Sequence, residues 1–164
     1  IFSHHIESLF SNGVILVCVM LIMTGFMLIA TNFFRKSNNK INFKHTILIG
    51  LSQALAIIPG ISRSGATIST ALYFGINRKD AAEFSFLIGL VPIIGGTIIK
   101  FSEFLNAPSS QNFNSEALLI AFFSAFFSGL LACKYMIVIV ENNNLKYFGY
   151  YCIVLGVVFG TIFI

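Results

Sequence analysis

The chain has 164 residues, of which 57% are hydrophobic and 10% charged, with a formal net charge of +4. A soluble domain carries about 25% charged residues, so this composition excludes an ordinary water-soluble fold and indicates an all-α, polytopic membrane protein. The basic residues lie mainly between apolar runs, which favours membrane-flanking loops and excludes a nucleic-acid footprint.

Val14 to Phe34 contains no charged residue and is long enough to cross a hydrocarbon core of about 30 Å. His4, His5 and Glu7, just before it, read as a solvated flank, because no further ligand stands at metal-like spacing. The segment RKSNNKINFK, 35–44, ends the span as a basic loop, with His45 at headgroup level beside it. Thr46 to Ile58 and Ala66 to Ile76 are apolar but short. Runs of about 10 to 14 residues suit a re-entrant segment better than a full span. Pro59 and Gly60 break the helix between them.

NRKD, 77–80, is a second basic loop; Glu83 follows as its ion partner. The run from Phe84 to Ile99, read as a span over about 84–101, contains Pro92 and the Gly95–Gly96 pair and is expected to kink. A polar, acidic stretch covers 102–116, with Lys100 and Lys134 free to snorkel at the ends of spans. Spans over 117–140 and 147–164 complete the chain, joined by ENNNLK at 141–146. Cys18, Cys133 and Cys152 all fall inside apolar runs, with no metal-like spacing, and read as small packing residues.

Loops 35–44 and 77–80 hold six of the ten Lys and Arg residues, so the positive-inside rule puts both on the cytoplasmic side. The segment 46–76 then enters and leaves from one side, as a helical hairpin whose tip, Pro59 to Gly65, lies near mid-membrane. The same reasoning puts 102–116 outside, 141–146 inside, and the whole of 1–164 in one membrane domain. Irregular backbone at that depth is tolerated only where protein or water buries it, so the tip is expected to line a cavity.

The tip is chemically specific. Gly60 and Gly65 allow a turn and close approach of a ligand, and the second half-helix is expected to start near Ser64 to Ala66. Its first N–H groups lack helical partners and its dipole is positive there, a combination that binds phosphate. Arg63 adds a fork of charged donors, and Ser62, Ser64 and Thr67 add hydroxyls. Gln53, one to two turns before Pro59, faces either this cavity or a neighbouring helix. A structural reading stands beside the functional one: Ser64 caps the helix, and Arg63 snorkels or pairs with a carboxylate.

The stretch LIGLSQALAIIPGISRSGATISTALYFGINRKDAAEFSFLIGLVPIIGG, 48–96, closely resembles the bacterial undecaprenyl-diphosphate phosphatase family, also called the bacitracin-resistance protein family. The PG-x-SRSG-A-T core falls on Pro59, Gly60, Ser62, Arg63, Ser64, Gly65, Ala66 and Thr67, and AAEFSFL on 81–87. The resemblance implies hydrolysis of undecaprenyl diphosphate to undecaprenyl phosphate, recycling the lipid carrier of cell-wall peptidoglycan, in the bacterial plasma (inner) membrane. It implies a divalent metal, Mg or Ca, and an inverted-repeat fold with two re-entrant hairpins. It also implies Arg63, Ser62 and Ser64 as catalytic residues, with Gly60, Gly65, Ala66, Thr67 and Gln53 around the phosphate.

The family's first repeat, which carries a glutamate-rich motif and a histidine, is not in these 164 residues. The expectation is a later portion of a longer enzyme, inactive by itself, with no metal ligands of its own. The polyprenyl diphosphate lipid and the membrane are the expected partners; the oligomeric state is left open, a homodimer included. The alternative is a transporter or flippase that binds a phosphate headgroup without hydrolysing it.

Overall fold

A computed structural model describes residues 13–34, 39–106, 115–142 and 145–163. His4, His5 and Glu7, residues 35–38 of the basic loop and 107–114 of the acidic one lie outside them. The described residues form six helices: α1 Val14–Ala30, α2 Phe43–Leu55, α3 Arg63–Tyr73, α4 Arg78–Leu105, α5 Ser115–Glu141 and α6 Leu145–Phe163. Among the described residues there is no β-strand, only an isolated bridge between Asn39 and Ile76. Three helices, α4, α5 and α6, are long and apolar enough to cross a membrane, and α1 is a shorter apolar helix of 17 residues. The chain is therefore an all-helical membrane protein.

The helix starts follow local capping chemistry. Asn42 opens α2 by accepting a hydrogen bond from the His45 N–H at 3.0 Å. Asn77 opens α4 by accepting from the Asp80 N–H at 2.8 Å. The basic stretch 77–80 is thus the capped first turn of α4 rather than a free loop, with an acidic residue where the helix dipole favours one. Helix α4 then runs through Pro92 without a break.

Helices α2 and α3, of 13 and 11 residues, pack against each other as a hairpin. At about 1.5 Å per residue neither reaches across a hydrocarbon core of about 30 Å. Their outer ends are tied together: the Asn39 N–H donates to the Gly75 carbonyl at 3.1 Å, and its side-chain amide to the Phe74 carbonyl at 3.0 Å. His45 stacks on Phe74 at the same end. The hydrophobic core lies beside this junction, where Ile49, Ile68, Leu72, Ile76, Ala81, Val140 and Leu145 are buried together. The flanks of the hairpin and the α5–α6 turn therefore share one end of the molecule.

Helix α1 lies along α6 at a separation only glycine permits. A Cβ on Gly25 would stand 2.6 Å from the Gly149 carbonyl oxygen, and one on Gly156 would stand 2.8 Å from that of Cys18. With no hydrophobic effect between helices in lipid, such close backbone packing is a main source of association. The other face of α1 carries the hairpin. Tyr73 donates its hydroxyl to the Met27 carbonyl at 2.7 Å. At the tip, Gly60 has φ of +96°, and a Cβ there would meet the Val17 carbonyl oxygen at 2.5 Å. The buried Thr24 hydroxyl donates to the Gly60 carbonyl at 3.3 Å and accepts from the Ser62 N–H at 3.2 Å.

Two outcomes follow for the hairpin. Single cysteines replacing Lys40 and Lys79, in a protein cleared of its native thiols, should label with an impermeant reagent from the same face of the membrane. Labelling from opposite faces would make the hairpin a pair of complete spans. Thr24→Val should cost about 1–3 kcal/mol, because a half-buried carbonyl and a half-buried N–H lose their partner together. Gly60→Ala should cost more than about 1 kcal/mol through its left-handed backbone and its contact with α1. Thermal melts in detergent measure both.

Candidate active site

The site begins with how α3 starts. Ser62 is the cap: its backbone is extended, and its side-chain oxygen accepts from the Gly65 N–H at 3.1 Å. The Ser62 carbonyl accepts from the Ala66 N–H at 2.8 Å, closing the first helical turn. That leaves the N–H groups of Arg63 and Ser64, which make no hydrogen bond within the described residues. They sit at the positive end of the helix, beside the Arg63 guanidinium and the Ser64 hydroxyl.

Arg63 and Ser64 open into a cavity of about 750 Å³. Its other walls are α4, through Glu83, Ser85, Phe86, Leu87, Gly89, Leu90 and Ile93, and α5, through Cys133 and Ile137. The Arg63 side chain is exposed and, among the described residues, makes no ion pair or hydrogen bond. It reaches across to α4, where Nη2 lies 4.0 Å from the place a Cβ on Gly89 would occupy. Glu83 faces the same cavity and stands 3.9 Å from Lys79, one turn back on α4. One end of the cavity is thus cationic and donor-rich, and most of the rest is hydrocarbon.

The remaining residues predicted around the phosphate frame the tip rather than line the cavity. Gly60 turns the chain against α1, and Gly65 and Ala66 are buried with their N–H groups committed to Ser62. Thr67 is fully buried, and its hydroxyl donates back to the carbonyls of Arg63, at 3.0 Å, and Ser64, at 3.2 Å. Gln53 has a different task. Its side-chain amide donates to the Ile88 carbonyl at 3.2 Å. Within an α-helix that carbonyl would accept from residue 92, which is a proline without an N–H. Gln53 therefore fills the gap that Pro92 leaves and fastens α2 to α4.

Four positions escaped the reading from sequence. Thr24 stands as a lone hydroxyl in an apolar span; Ser85 and Gly89 lie four residues apart on one face of α4; Cys133 is exposed in the cavity wall and not packed away. No group of three or more His, Cys, Asp or Glu stands together among the described residues. Among the described residues Glu83 is the one carboxylate of the cavity wall, and one carboxylate is too few ligands for a divalent cation.

A model of the family described as bacitracin resistance protein BacA matches residues 1–158. An undecaprenyl-diphosphatase of Bacteroides fragilis is 38% identical over 160 residues, which cover 96% of this chain and 60% of that protein. An undecaprenyl-diphosphatase of Prochlorococcus marinus is 42% identical over 151 residues, 92% of this chain and 55% of that protein. One of Methanobrevibacter smithii is 32% identical over 161 residues, 96% of this chain and 57% of that protein. The chain thus spans about 60% of the length of the curated relatives it matches. With 158 of 164 residues under the family model and PG-x-SRSG-A-T forming the start of α3 at the cavity, the chain belongs to the bacitracin resistance protein BacA family.

Proposed function

We propose that the cavity binds the diphosphate of undecaprenyl diphosphate and that the full-length protein removes its terminal phosphate, in the bacterial plasma membrane, returning the carrier lipid to cell-wall synthesis. The observation that carries this is the uncommitted donor set at the start of α3. Arg63 and Ser64, which carry the free guanidinium and the uncommitted N–H groups, line a cavity whose other walls are mostly apolar. An oxyanion with a hydrocarbon tail matches both halves. A free nucleotide or sugar phosphate matches only the first.

Phosphoryl transfer spreads negative charge over the oxygens of the transferring group, so catalysis is mainly positioning and electrostatic stabilisation. Arg63 would meet two of those oxygens with its fork, and the helix-start amides would meet the third. These donors are preset: the Ser62 cap and the Thr24 bonds fix the turn before any ligand arrives. The prenyl chain would lie along Leu90, Ile93 and Ile137 and leave sideways into lipid. A divalent cation, Mg or Ca, belongs to the proposal with its ligands outside the described residues.

In the full-length protein, Arg63→Ala should lower phosphate release about 100-fold or more, mostly in kcat. Arg63→Lys should recover only part of this, since a point charge cannot reproduce the bidentate fork. The melting temperature should hardly move, because the guanidinium makes no ion pair or hydrogen bond among the described residues. Near-normal turnover in Arg63→Ala would remove the tip from the chemistry. Headgroup binding by the wild type without phosphate release would assign a carrier of phosphate headgroups instead of a hydrolase.

A further inference from the structure

Ser85 is a buried hydroxyl without a partner. Its residue is 4% exposed, its Oγ makes no hydrogen bond, and it lines the cavity. Several helical hydroxyls elsewhere in this protein return to their own backbone. Ser52 donates to the Ile49 carbonyl at 2.7 Å, Thr97 to Ile93 at 2.7 Å and Ser128 to Ser124 at 2.7 Å. That local bond is the ordinary refuge of a helical serine away from water. Ser85 does not take it, and a native buried group left open in this way calls for an explanation.

Its position supplies one. Ser85 is one turn from Gly89, on the same face of α4, and Gly89 is where the Arg63 guanidinium comes to rest. Glu83 and Ser85, the two polar α4 residues of the lining, stand at its start, and the α4 lining that follows, from Phe86 to Ile93, is apolar apart from Gly89. A prenyl chain lying along the apolar stretch places the headgroup at Arg63 and its outermost phosphate toward Ser85. We infer that Ser85 donates its hydroxyl to the terminal phosphate of a polyprenyl diphosphate and so sets the preference for diphosphate over monophosphate. This rests on the phosphate-binding reading of the cavity given above. The second buried hydroxyl without a partner, Ser69 on α3, is fully buried and lies outside the cavity lining, so it serves as the control.

The test uses full-length protein in detergent and two ligands. One is a polyprenyl methylene-diphosphonate, which carries the charge of the diphosphate and resists hydrolysis. The other is the polyprenyl monophosphate. Ser85→Ala should weaken diphosphonate binding roughly tenfold, the loss of one hydrogen bond to a charged group. Monophosphate binding should stay within about twofold. Ser85→Cys, which keeps the shape but is a poor donor, should match Ser85→Ala, and Ser85→Thr should restore most of the preference. Ser69→Ala should leave both affinities unchanged. Equal loss for both ligands, or none for either in a variant that melts like the wild type, would overturn the role of Ser85. Because the readout is equilibrium binding, a wild type that binds the diphosphonate but releases no phosphate defeats the hydrolase reading alone. A wild type that hydrolyses while Ser85→Ala discriminates normally defeats only this inference.

Discussion

The turn from Pro59 to Ser62 exposes backbone groups that no helix satisfies, and one side chain from a neighbouring helix takes up two of them. Thr24 of α1 donates to the Gly60 carbonyl and accepts from the Ser62 N–H. Leaving such groups bare inside a membrane costs several kcal/mol each. The contact needs the turn to lie directly on α1, and Gly60 allows that because it has no Cβ to strike Val17. Once the turn is seated, Ser62 is in place to cap α3. Capping uses the Gly65 N–H and leaves the two earlier ones uncommitted. The free donors of the site are thus a remainder, left over after Thr24 and the Ser62 cap have taken up the Gly60 carbonyl and the Ser62 and Gly65 N–H groups.

A second break obeys the same rule. Pro92 removes the N–H that would have met the Ile88 carbonyl, and Gln53 supplies a side-chain N–H in its place. A proline within a membrane helix is tolerable when a neighbour repairs the backbone in this way. The repair also has a structural yield. It fixes α2 against the stretch of α4 that holds Ser85 and Gly89, while Thr24 and Tyr73 fix α3 to α1. The two cavity walls to which the proposed function assigns the phosphate, the start of α3 and the face of α4, are therefore each held from behind by hydrogen bonds.

The sequence made the broad plan readable because each part of it rests on a local signal. Charge-free runs announced the long helices, and two short apolar pieces around Pro59–Gly60 announced the hairpin. The cap was assigned one turn position too late: Ser62 and Ser64 are the same residue type two apart, and only the backbone conformation at Ser62 decides between them. The stretch 77–80 was read as loop from its charges, although Asn77 and Asp80 at this spacing make a helix start. The bonds of Thr24 to Gly60 and of Gln53 to the Ile88 carbonyl depend on which residues meet across 36 and 35 positions of chain, and one sequence holds no information on that register. Ser85 was hidden differently. A serine between two phenylalanines looks like an unremarkable helical residue until its hydroxyl is found to lack the usual local bond.

The same reasoning explains why Arg63 stays unpaired. An arginine at membrane depth costs about 2.5 kcal/mol or more on insertion scales, and a facing carboxylate would offset that cost. Glu83 lines the same cavity, yet its neighbour within ion-pair distance is Lys79 on its own helix. A carboxylate bonded to Arg63 would compete with every phosphate that entered, and binding would have to break the pair first. Keeping the cation open and the acid turned to its own lysine removes that competition. Under the proposed function, an anion bound at Arg63 would supply the partner that the fold withholds, and the unpaired charge would itself be the source of affinity.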